Sequence, residues 1–585
     1  MPSSLVDGNS LLAIEVGAAN TRAVMFDVIE GEYRFVASGT APTTAEAPFK
    51  DVGEGVRNAI INLQEVLGNT LLDESRELII PSQPNGSGVD ACVVTLSAGP
   101  VVKTVIVGLL KDVSLDSARR LTESTYTRIV DRIGLNDRRR SDQQIDSLLR
   151  LRPDLVVITG GTDGGASRSI QKLLEPLGLA CFLLPEEKRP AILFAGNEKL
   201  EEKVKNLVGS LAESLHFSPN VRPSLETEDI DPAERELARM FINIRKRQIK
   251  GVDLLDLWSA GHILPTAYAT GRMVRFLAKV YGSKKGILSL DLGASAAIIS
   301  AGFNGKSTLS VYPQFGLGEN LARLQYYTTL EDILRWSSLD ISAGVLRDYL
   351  YQKSLYPAAI AATKEDLAIS EAVSRQSLYL AMQSARRDFP KNIATIEPIL
   401  TPRFELILAG GAALSDASRP GHSLLLLLDS IQPVGVTTVI LDQNNLLPLL
   451  GASASQNNIL PVQVFESDAF LSMGTVISPV VAASYGTVIL RAKLNYENGA
   501  EARMELKYGS IETLPLSSGE VGQLSIQGLR GADVGFGPGG SVTIPVSGGV
   551  LGVVFDGRGR PLDLPSDAVR RRELIKKWNS TLAGE

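Results

Sequence analysis

The sequence predicts an α/β protein of two lobes facing each other across a cleft, with an α/β insertion in the first lobe and a β-rich region after the second. Three observations predict it. The strand–turn–strand stretch "LLAIEVGAANTRAVMFD" (11–27) returns as "GILSLDLGASAAIISAGFNGK" (286–306), each with an acid two residues before a glycine and small residues after it. Between the two copies, continuous apolar strands alternate with helical stretches, the mark of a parallel sheet covered on both faces. From about residue 480 short strands and turns replace that alternation, and residues 534–563 are rich in glycine.

Taken in order, residues 11–41 read as three strands, with Gly31 in the turn between the second and third. A helix follows over 51–68, where Val56, Ile60, Leu63 and Leu67 share one face. Residues 89–110 give two strands across a Gly-Pro turn, and 114–133 read as one helix capped by Ser114. "DQQIDSLLRLR" is helical, and "PDLVVITGGTDGGA" is a buried strand running into a glycine-rich loop, with a helix starting near Ala166. A second strand, "RPAILFAGNEKL", and the helix "EEKVKNLVGSLA" continue the alternation. The acidic stretch 223–241 enters a long helix that Asp231 caps, with Pro232 in its first turn. After the second hairpin come helices over 319–350 and 364–389, the strand "FELILAGGAALS" ending in Gly410-Gly411, and a strand and short helix in "TTVILDQNNLLPLLGASAS". The uncharged run 469–490 carries Gly, Pro, Ser and Thr throughout and reads as a linker between strands, not a membrane span.

Composition excludes several classes. The net charge of −6 and the lack of a long basic run argue against nucleic acid as partner, and "DRRRSD" (137–142) is a loop broken by acids. Cys92 and Cys181 sit in apolar runs as buried thiols, which fits a reducing, cytoplasmic setting; no signal peptide is expected. His216, His262 and His422 are scattered, and no Cys or His spacing suits a directly bound metal. No Gly-x-Ser-x-Gly elbow has a plausible His partner, and "GAANTR" is not a Walker loop. "FDGRGRPL" (555–562) reads as turn structure in the β region, with contact to an acidic partner as the alternative.

Two acid-x-Gly hairpins and a later strand-Gly-Gly turn form a pattern with a mechanism. Small residues let the backbone approach phosphates, and strand-end acids hold water around a hard cation such as Mg²⁺. The arrangement resembles the actin, Hsp70 and sugar-kinase superfamily. Up to about residue 475 the chain resembles, more closely, the glutamate mutase L family, accessory proteins of B12-dependent glutamate mutase. "LSAGPVVKTVIVGLLKDVSLDSARR", "PDLVVITGGTDGG", "ILFAGNEKLEEKV", "NVRPSLETEDIDPAERE" and "LSLDLGASAAII" carry the resemblance, in that order.

The resemblance implies an actin-like ATPase fold and a role like that of ATP-driven factors that reactivate adenosylcobalamin-dependent mutases. It implies ATP and Mg²⁺ as cofactors, no directly bound cobalamin, and a protein partner such as a mutase subunit; homo-oligomerisation stays open. It places Glu15, Gly17, Thr21 and Arg22 in the first phosphate loop, Asp291, Gly293 and Ser295 in the second, and Gly410 and Gly411 at the adenosine turn, with Mg²⁺ held through water by Glu15 and Asp291. The family's first loop has Asp at position 15 and hydroxyl residues at 18 and 19, where this chain has Glu15, Ala18 and Ala19. No residue is assignable to positioning an attacking water, so hydrolysis is expected to be weak at best. Gly160, Gly161, Asp163 and Gly164 form a second candidate ligand loop, at a strand end before a helix; helix capping by Asp163 is the alternative. The expected units are a first lobe over 1–285 with its insertion at about 85–250, a second lobe over 286–478, a small β domain over 479–565 and a basic C-terminal helix over 566–585. A non-hydrolysing scaffold or filament protein of the same fold, and a small-molecule kinase, are the alternatives.

Overall fold

The computed structural model describes residues 9–165, 167–282, 285–390 and 393–583. In the first lobe, β1 (Leu11–Val16), β2 (Asn20–Ile29) and β3 (Glu32–Pro42) form an antiparallel meander. Helix α1 (Val52–Leu67) packs on it, started by the Asp51 side chain accepting the Gly53 N–H and ended by Gly68 in the left-handed region. β4 (Ala91–Leu96) then adds parallel to β1.

There the chain leaves the lobe. β5 (Val102–Val107), α2 (Ser114–Thr122), β6 (Thr127–Ile133), α3 (Ser141–Leu151), β7 (Leu155–Ile158), α4 (Ser167–Leu183), β8 (Ala191–Phe194), α5 (Glu201–Val208) and β9 (Ser214–Phe217) build a separate parallel sheet of order β6-β5-β7-β8-β9. α6 (Asp231–Gln248) and α7 (Val252–Trp258) bring the chain back. Arg245 of α6, buried, ties exit to return: its Nη1 donates to the Pro100 carbonyl at 2.6 Å, and its guanidinium lies 4.6 Å from the Phe241 ring centre. β10 (Ile263–Pro265) then pairs with β4 and completes the first sheet, in the order β3-β2-β1-β4-β10.

Helix α8 (Thr266–Tyr281) crosses to the second lobe. β11 (Gly286–Leu292), β12 (Ala297–Phe303) and β13 (Lys306–Tyr312) repeat the meander. Helices α9 (Leu330–Leu334), α10 (Ala343–Leu355) and α11 (Lys364–Ala385) follow. β14 (Phe404–Gly410) adds parallel to β11; after α12 (Ala412–Ser415) and α13 (Pro420–Ile431), β15 (Gly435–Leu441) adds parallel to β14. α14 (Leu446–Ser453) packs on α8, and α15 (Leu460–Phe465) leads to β16 (Leu471–Ser478). The order β13-β12-β11-β14-β15 matches β3-β2-β1-β4-β10 strand for strand and direction for direction. This duplication is the two-lobed actin-like arrangement. The insertion also braces the second lobe, through Arg119 of α2 donating to both carboxylate oxygens of Asp388 at 3.0 and 2.6 Å.

The C-terminal region contains β17 (Val488–Tyr496), β18 (Glu501–Lys507), β19 (Ile511–Leu514), β20 (Val521–Gly528), β21 (Ser541–Ser547), β22 (Val553–Asp556) and α16 (Ala568–Ala583). Only β18-β17-β20-β21 form a sheet of their own; β22 and β19 extend the second lobe's sheet beyond β16, and α16 packs on α13.

Several sequence expectations change here. The run 469–490 is not all linker: Leu471–Ser478 is an inner strand between β15 and β22. The helix expected over 114–133 stops at Thr122, because the β-branched run of β6 pairs parallel with β5. Ser114 is that helix's first residue, its hydroxyl accepting the Leu110 N–H, and Asp231 likewise begins α6 without capping it. The strands on either side of Gly99-Pro100 belong to different sheets. Ala166 lies outside the described residues.

"FDGRGRPL" does turn, directly after β22, but its arginines face inward and not toward a partner. Arg558 and Arg560 are buried and share Asp556, with Arg558 Nε on Oδ1 at 2.9 Å and Arg560 Nη2 on Oδ2 at 2.6 Å. Arg558 Nη1 also reaches Asp429 Oδ1 at 2.6 Å, and Arg375 Nε takes the other oxygen of Asp429 at 2.9 Å. The two guanidiniums hold the Asp556 carboxyl well below the usual carboxylate range despite its burial. Removing Arg558 takes one guanidinium from each of two buried carboxylates, leaving Asp556 to Arg560 and Asp429 to Arg375, so Arg558→Met is expected to destabilise the protein by about 3 kcal/mol. Urea unfolding followed by tryptophan fluorescence measures this, since Trp578 lies against Arg558; an unshifted midpoint would mean the network does not hold this region to the lobe.

Candidate functional site

The two hairpins turn in the same way. Gly17 N–H donates to the Asn20 carbonyl at 3.0 Å, and Gly293 N–H to the Ala296 carbonyl at 3.1 Å, so each turn spans four residues. A Cβ on Gly17 would stand 2.7 Å from the Asn20 oxygen, which is why that position needs glycine. The N–H groups of Ala18, Ala19, Ala294 and Ser295 donate to no described residue and line the space between the lobes. Opposite each acid stands a cross-strand neighbour, Arg22 for Glu15 and Ile298 for Asp291; on the parallel side stand Thr95 and Gly410.

The cleft has a cavity volume of about 590 Å³. On the second-lobe side a Cβ on Gly411, which has φ +88°, would lie 2.8 Å from Asp291 Oδ1, and one on Gly410 3.7 Å from Oδ2. The Gly-Gly pair therefore makes room for the Asp291 carboxylate, and Gly411 lines the cavity. Behind it, Asp442 at the end of β15 accepts the Leu446 and Leu447 N–H groups at 2.8 and 2.7 Å and so starts α14. Asn445, in the left-handed region, donates from Nδ2 to Glu15 Oε1 at 2.5 Å and joins the lobes.

Three carboxylates thus converge where water is scarce. Burial pushes Asp291 up to about 7, helped by the charges of Glu15 and Asp442 and opposed by Arg22. Burial also raises Glu15, against the pull of Arg22 and the Asn445 hydrogen bond, and raises Asp442 against its two main-chain donors. Among the described residues the Asp291 carboxylate accepts no hydrogen bond. Asn445 Oδ1, Tyr126 Oη and Thr266 Oγ1 are buried without a hydrogen bond of normal geometry. Burial, then Asp291 and Glu15, hold the Tyr126 phenol well above its usual range. The opposite wall comes from α10, α11 and the segment after Gly411, including Lys353, Lys364, Glu371 and His422.

Of the residues expected in the phosphate loops, Glu15, Gly17, Arg22, Asp291, Gly293, Ser295 and Gly411 line this cavity, and Gly410 adjoins it. Thr21 does not: it is buried, its hydroxyl 2.8 Å from that of Thr43. Nor does the loop of Gly160, Gly161, Asp163 and Gly164, which follows β7 in the inserted sheet. There Asn220 Nδ2 donates to Asp163 Oδ1 and to the Gly161 carbonyl, both at 2.9 Å, so the carboxylate clamps the loop. Asp442, Asn445, Tyr126 and Thr266 were not expected. Only Asp442 left a sequence signal, an acid four residues before the apolar helix "LLPLL".

The family model described as MutL protein matches residues 11–469. The chain belongs to this family. It is the glutamate mutase L family that the sequence resembles. Protein MutL of Clostridium tetanomorphum is 21% identical over 449 residues, covering 71% of this chain and 88% of that one. Among solved structures, a nucleotide-free acetone carboxylase is similar at 12% identity and a TM-score of 0.30, over 85% of this chain and 81% of that one. A nucleotide-free diol dehydratase-reactivating factor is similar at 10% identity and a TM-score of 0.30, over 78% and 99%. Scores this low speak to no shared activity. Membership of the MutL family rests on the match over residues 11–469.

The raised Asp291 carboxyl makes stability depend on pH. Between its ordinary value of 3.8 and about 7 the folded protein holds a proton that the unfolded chain has released, so this group's contribution to stability falls as pH rises through that window. Asp291→Asn removes the cost. Without nucleotide it is expected to be more stable than the parent at pH 8 by about 2–4 kcal/mol, with the gain shrinking toward pH 4. Thermal unfolding at both pH values measures this; a gain of equal size at both would show that Asp291 is not held protonated.

Proposed function

We propose that this protein is an ATP-binding accessory factor that acts, in the manner of a chaperone, on an adenosylcobalamin-dependent mutase. The observation that carries the reading is the pair of matched turns that bring Glu15 and Asp291 into one cleft with unengaged backbone N–H groups on both sides. Those N–H groups suit the oxygens of a polyphosphate. Membership of the MutL family supports the class of partner.

The residues also suit a hydrated divalent cation. Among the described residues the Asp291 carboxylate has no donor and Asn445 Oδ1 no partner, and three acids share the single counter-charge of Arg22. No group of three Asp, Glu, His or Cys side chains among the described residues is close enough to hold an ion directly. Glu15 and Asp291 would therefore hold Mg²⁺ through its water shell, where it neutralises phosphate charge. This chain's own residues bind and orient: the turns cradle phosphate, Gly410-Gly411 leaves flat backbone for the nucleoside, and Arg22 balances the acids. Closing the cleft on nucleotide strengthens the Glu15–Asn445 side and biases an equilibrium between open and closed lobes that a partner reads.

Ala18, Ala19 and Ala294 offer no hydroxyls, which favours holding nucleotide over turning it over rapidly. Binding without hydrolysis would make the protein a nucleotide-set scaffold within the same reading.

Isothermal titration with ATP–Mg²⁺ tests the proposal. Saturable binding at micromolar to high-micromolar nucleotide is expected, weakened at least about tenfold, or 1.4 kcal/mol, by Gly293→Val, which fills the second turn. Asp163→Asn, outside the cleft, is expected to bind as the parent does. Glu15→Asp with Ala18→Ser and Ala19→Thr is expected to tighten binding. No heat with the parent protein overturns the reading, and unchanged affinity in the triple variant counts against the role given to these turns. Retention of a cobalamin mutase subunit on the immobilised protein, altered by nucleotide, tests the partner.

A further inference from the structure

The outer face of α8 carries a second feature, away from the cleft. A groove with a cavity volume of about 510 Å³ runs between α6 and α8 over the edge strand β10. Five basic side chains line it: Arg235 and Arg239 from α6, and Arg272, Arg275 and Lys279 from α8. Among the described residues no acidic side chain lines it, although the chain as a whole carries a net charge of −6.

The local carboxylates are already engaged. Asp231 and Glu234 lie 3.0 and 3.4 Å from Arg275 Nη2, and Glu236 lies 3.2 Å from Arg239 while also meeting His216. Arg275 is further fixed by donating from Nε to Ser307 Oγ at 3.0 Å. Arg235 and Arg272, by contrast, make no hydrogen bond or ion pair with any described residue. Arg272 is partly buried; that desolvation, with the like charges of Arg275 and Arg235, lowers its pKa from the usual arginine value. A partly buried guanidinium crowded by its own kind is an unfavourable arrangement unless an anion completes it. The groove's floor is apolar, from Ala238 and Ile263, and Tyr268 and Phe276 present rings to it.

We propose that this groove binds a phosphorylated small molecule with an apolar portion, Arg235 and Arg272 holding the phosphate and Tyr268 and Phe276 covering the apolar part. The guanidinium fork matches phosphate oxygens in pairs, and the volume is that of a small-molecule site. An acidic protein segment fits less well, because the uncompensated charge is concentrated on two neighbouring guanidiniums over a short apolar floor. The site is separate from the cleft, although α8 joins the two: Thr266, its first residue, lines the cleft.

Phenyl phosphate, titrated calorimetrically into the full-length protein at low salt, tests the proposal. One saturable site is expected, weakening as salt is raised. The Arg235→Met/Arg272→Met variant is expected to bind at least about tenfold more weakly, and the single variant Arg235→Gln, at an exposed position that folding does not depend on, about threefold more weakly. Gly293→Val, which fills the cleft turn, is expected to keep the groove's affinity within about twofold, which separates this site from the nucleotide reading. No binding by the parent protein, or binding lost in Gly293→Val and kept in the arginine variants, overturns the proposal. So does binding of poly-glutamate with none of phenyl phosphate, which would make the surface a protein-docking face.

Discussion

The cleft is organised by one electrostatic constraint: three carboxylates, Glu15, Asp291 and Asp442, are folded into a space where water is scarce and only Arg22 acts on all of them as a counter-charge. The duplication accounts for two of them, Glu15 and Asp291; Asp442, after β15, has no acidic counterpart after β10. Equivalent strands place an acid at the end of each hairpin's first strand, and closing two such sheets on each other brings the acids face to face. Neighbouring features answer the strain. Asp442 is discharged into the first turn of α14, Asn445 donates to Glu15, and the two glycines after β14 leave Asp291 its space. Asp291, buried and without a donor among the described residues, is the acid for which this compensation is least complete.

The wall opposite those acids is held by charges of the other kind. Asp429 on α13 takes Arg558 on one oxygen and Arg375 of α11 on the other, and Arg375 also reaches Glu371, which lines the cleft. A continuous path of ion pairs therefore runs from β22, outside the span matched by the family model, to the rim of the cleft. The C-terminal strands β22 and β19 are thus built into the second lobe, in its sheet and through these ion pairs. The inserted sheet makes the complementary link through Arg119 and Asp388. Both additions to the duplicated body brace the second lobe at helices that flank the cleft.

The parts legible in the sequence were those fixed by local chemistry. Alternation and a small-residue turn write a hairpin, so Gly17 and Gly293 and their acids were readable; continuous apolar runs write a parallel strand, so β7 and β8 were as well. What was not readable depends on distant pairing. Leu471–Ser478 looks like a linker until β15 and β22 lie on either side of it, and Thr127–Ile133 looks helical until β5 supplies its ladder. "FDGRGRPL" reads as turn structure, and nothing local shows that Arg558 will meet Asp429, more than a hundred residues away. Tyr126 and Thr266 enter the cleft from a domain insertion and a helix start, with no local pattern to mark them. Asp163, the most conspicuous polar residue of the glycine-rich loop, holds that loop closed through Asn220.

Charge at the level of the whole chain is equally silent about local clusters. A net charge of −6 is a sum over the chain and says nothing about a few side chains that two helices bring together. On α8 the basic residues recur at helical spacing, so one helix face collects them, and α6 answers with two more across β10. The same helix packs its other side on α14, whose start is fixed by Asp442. One element thus touches an excess of negative charge at its first turn and an excess of positive charge along its outer face. Because α8 also carries the chain from one lobe to the other, both charge clusters sit on the element that joins the lobes.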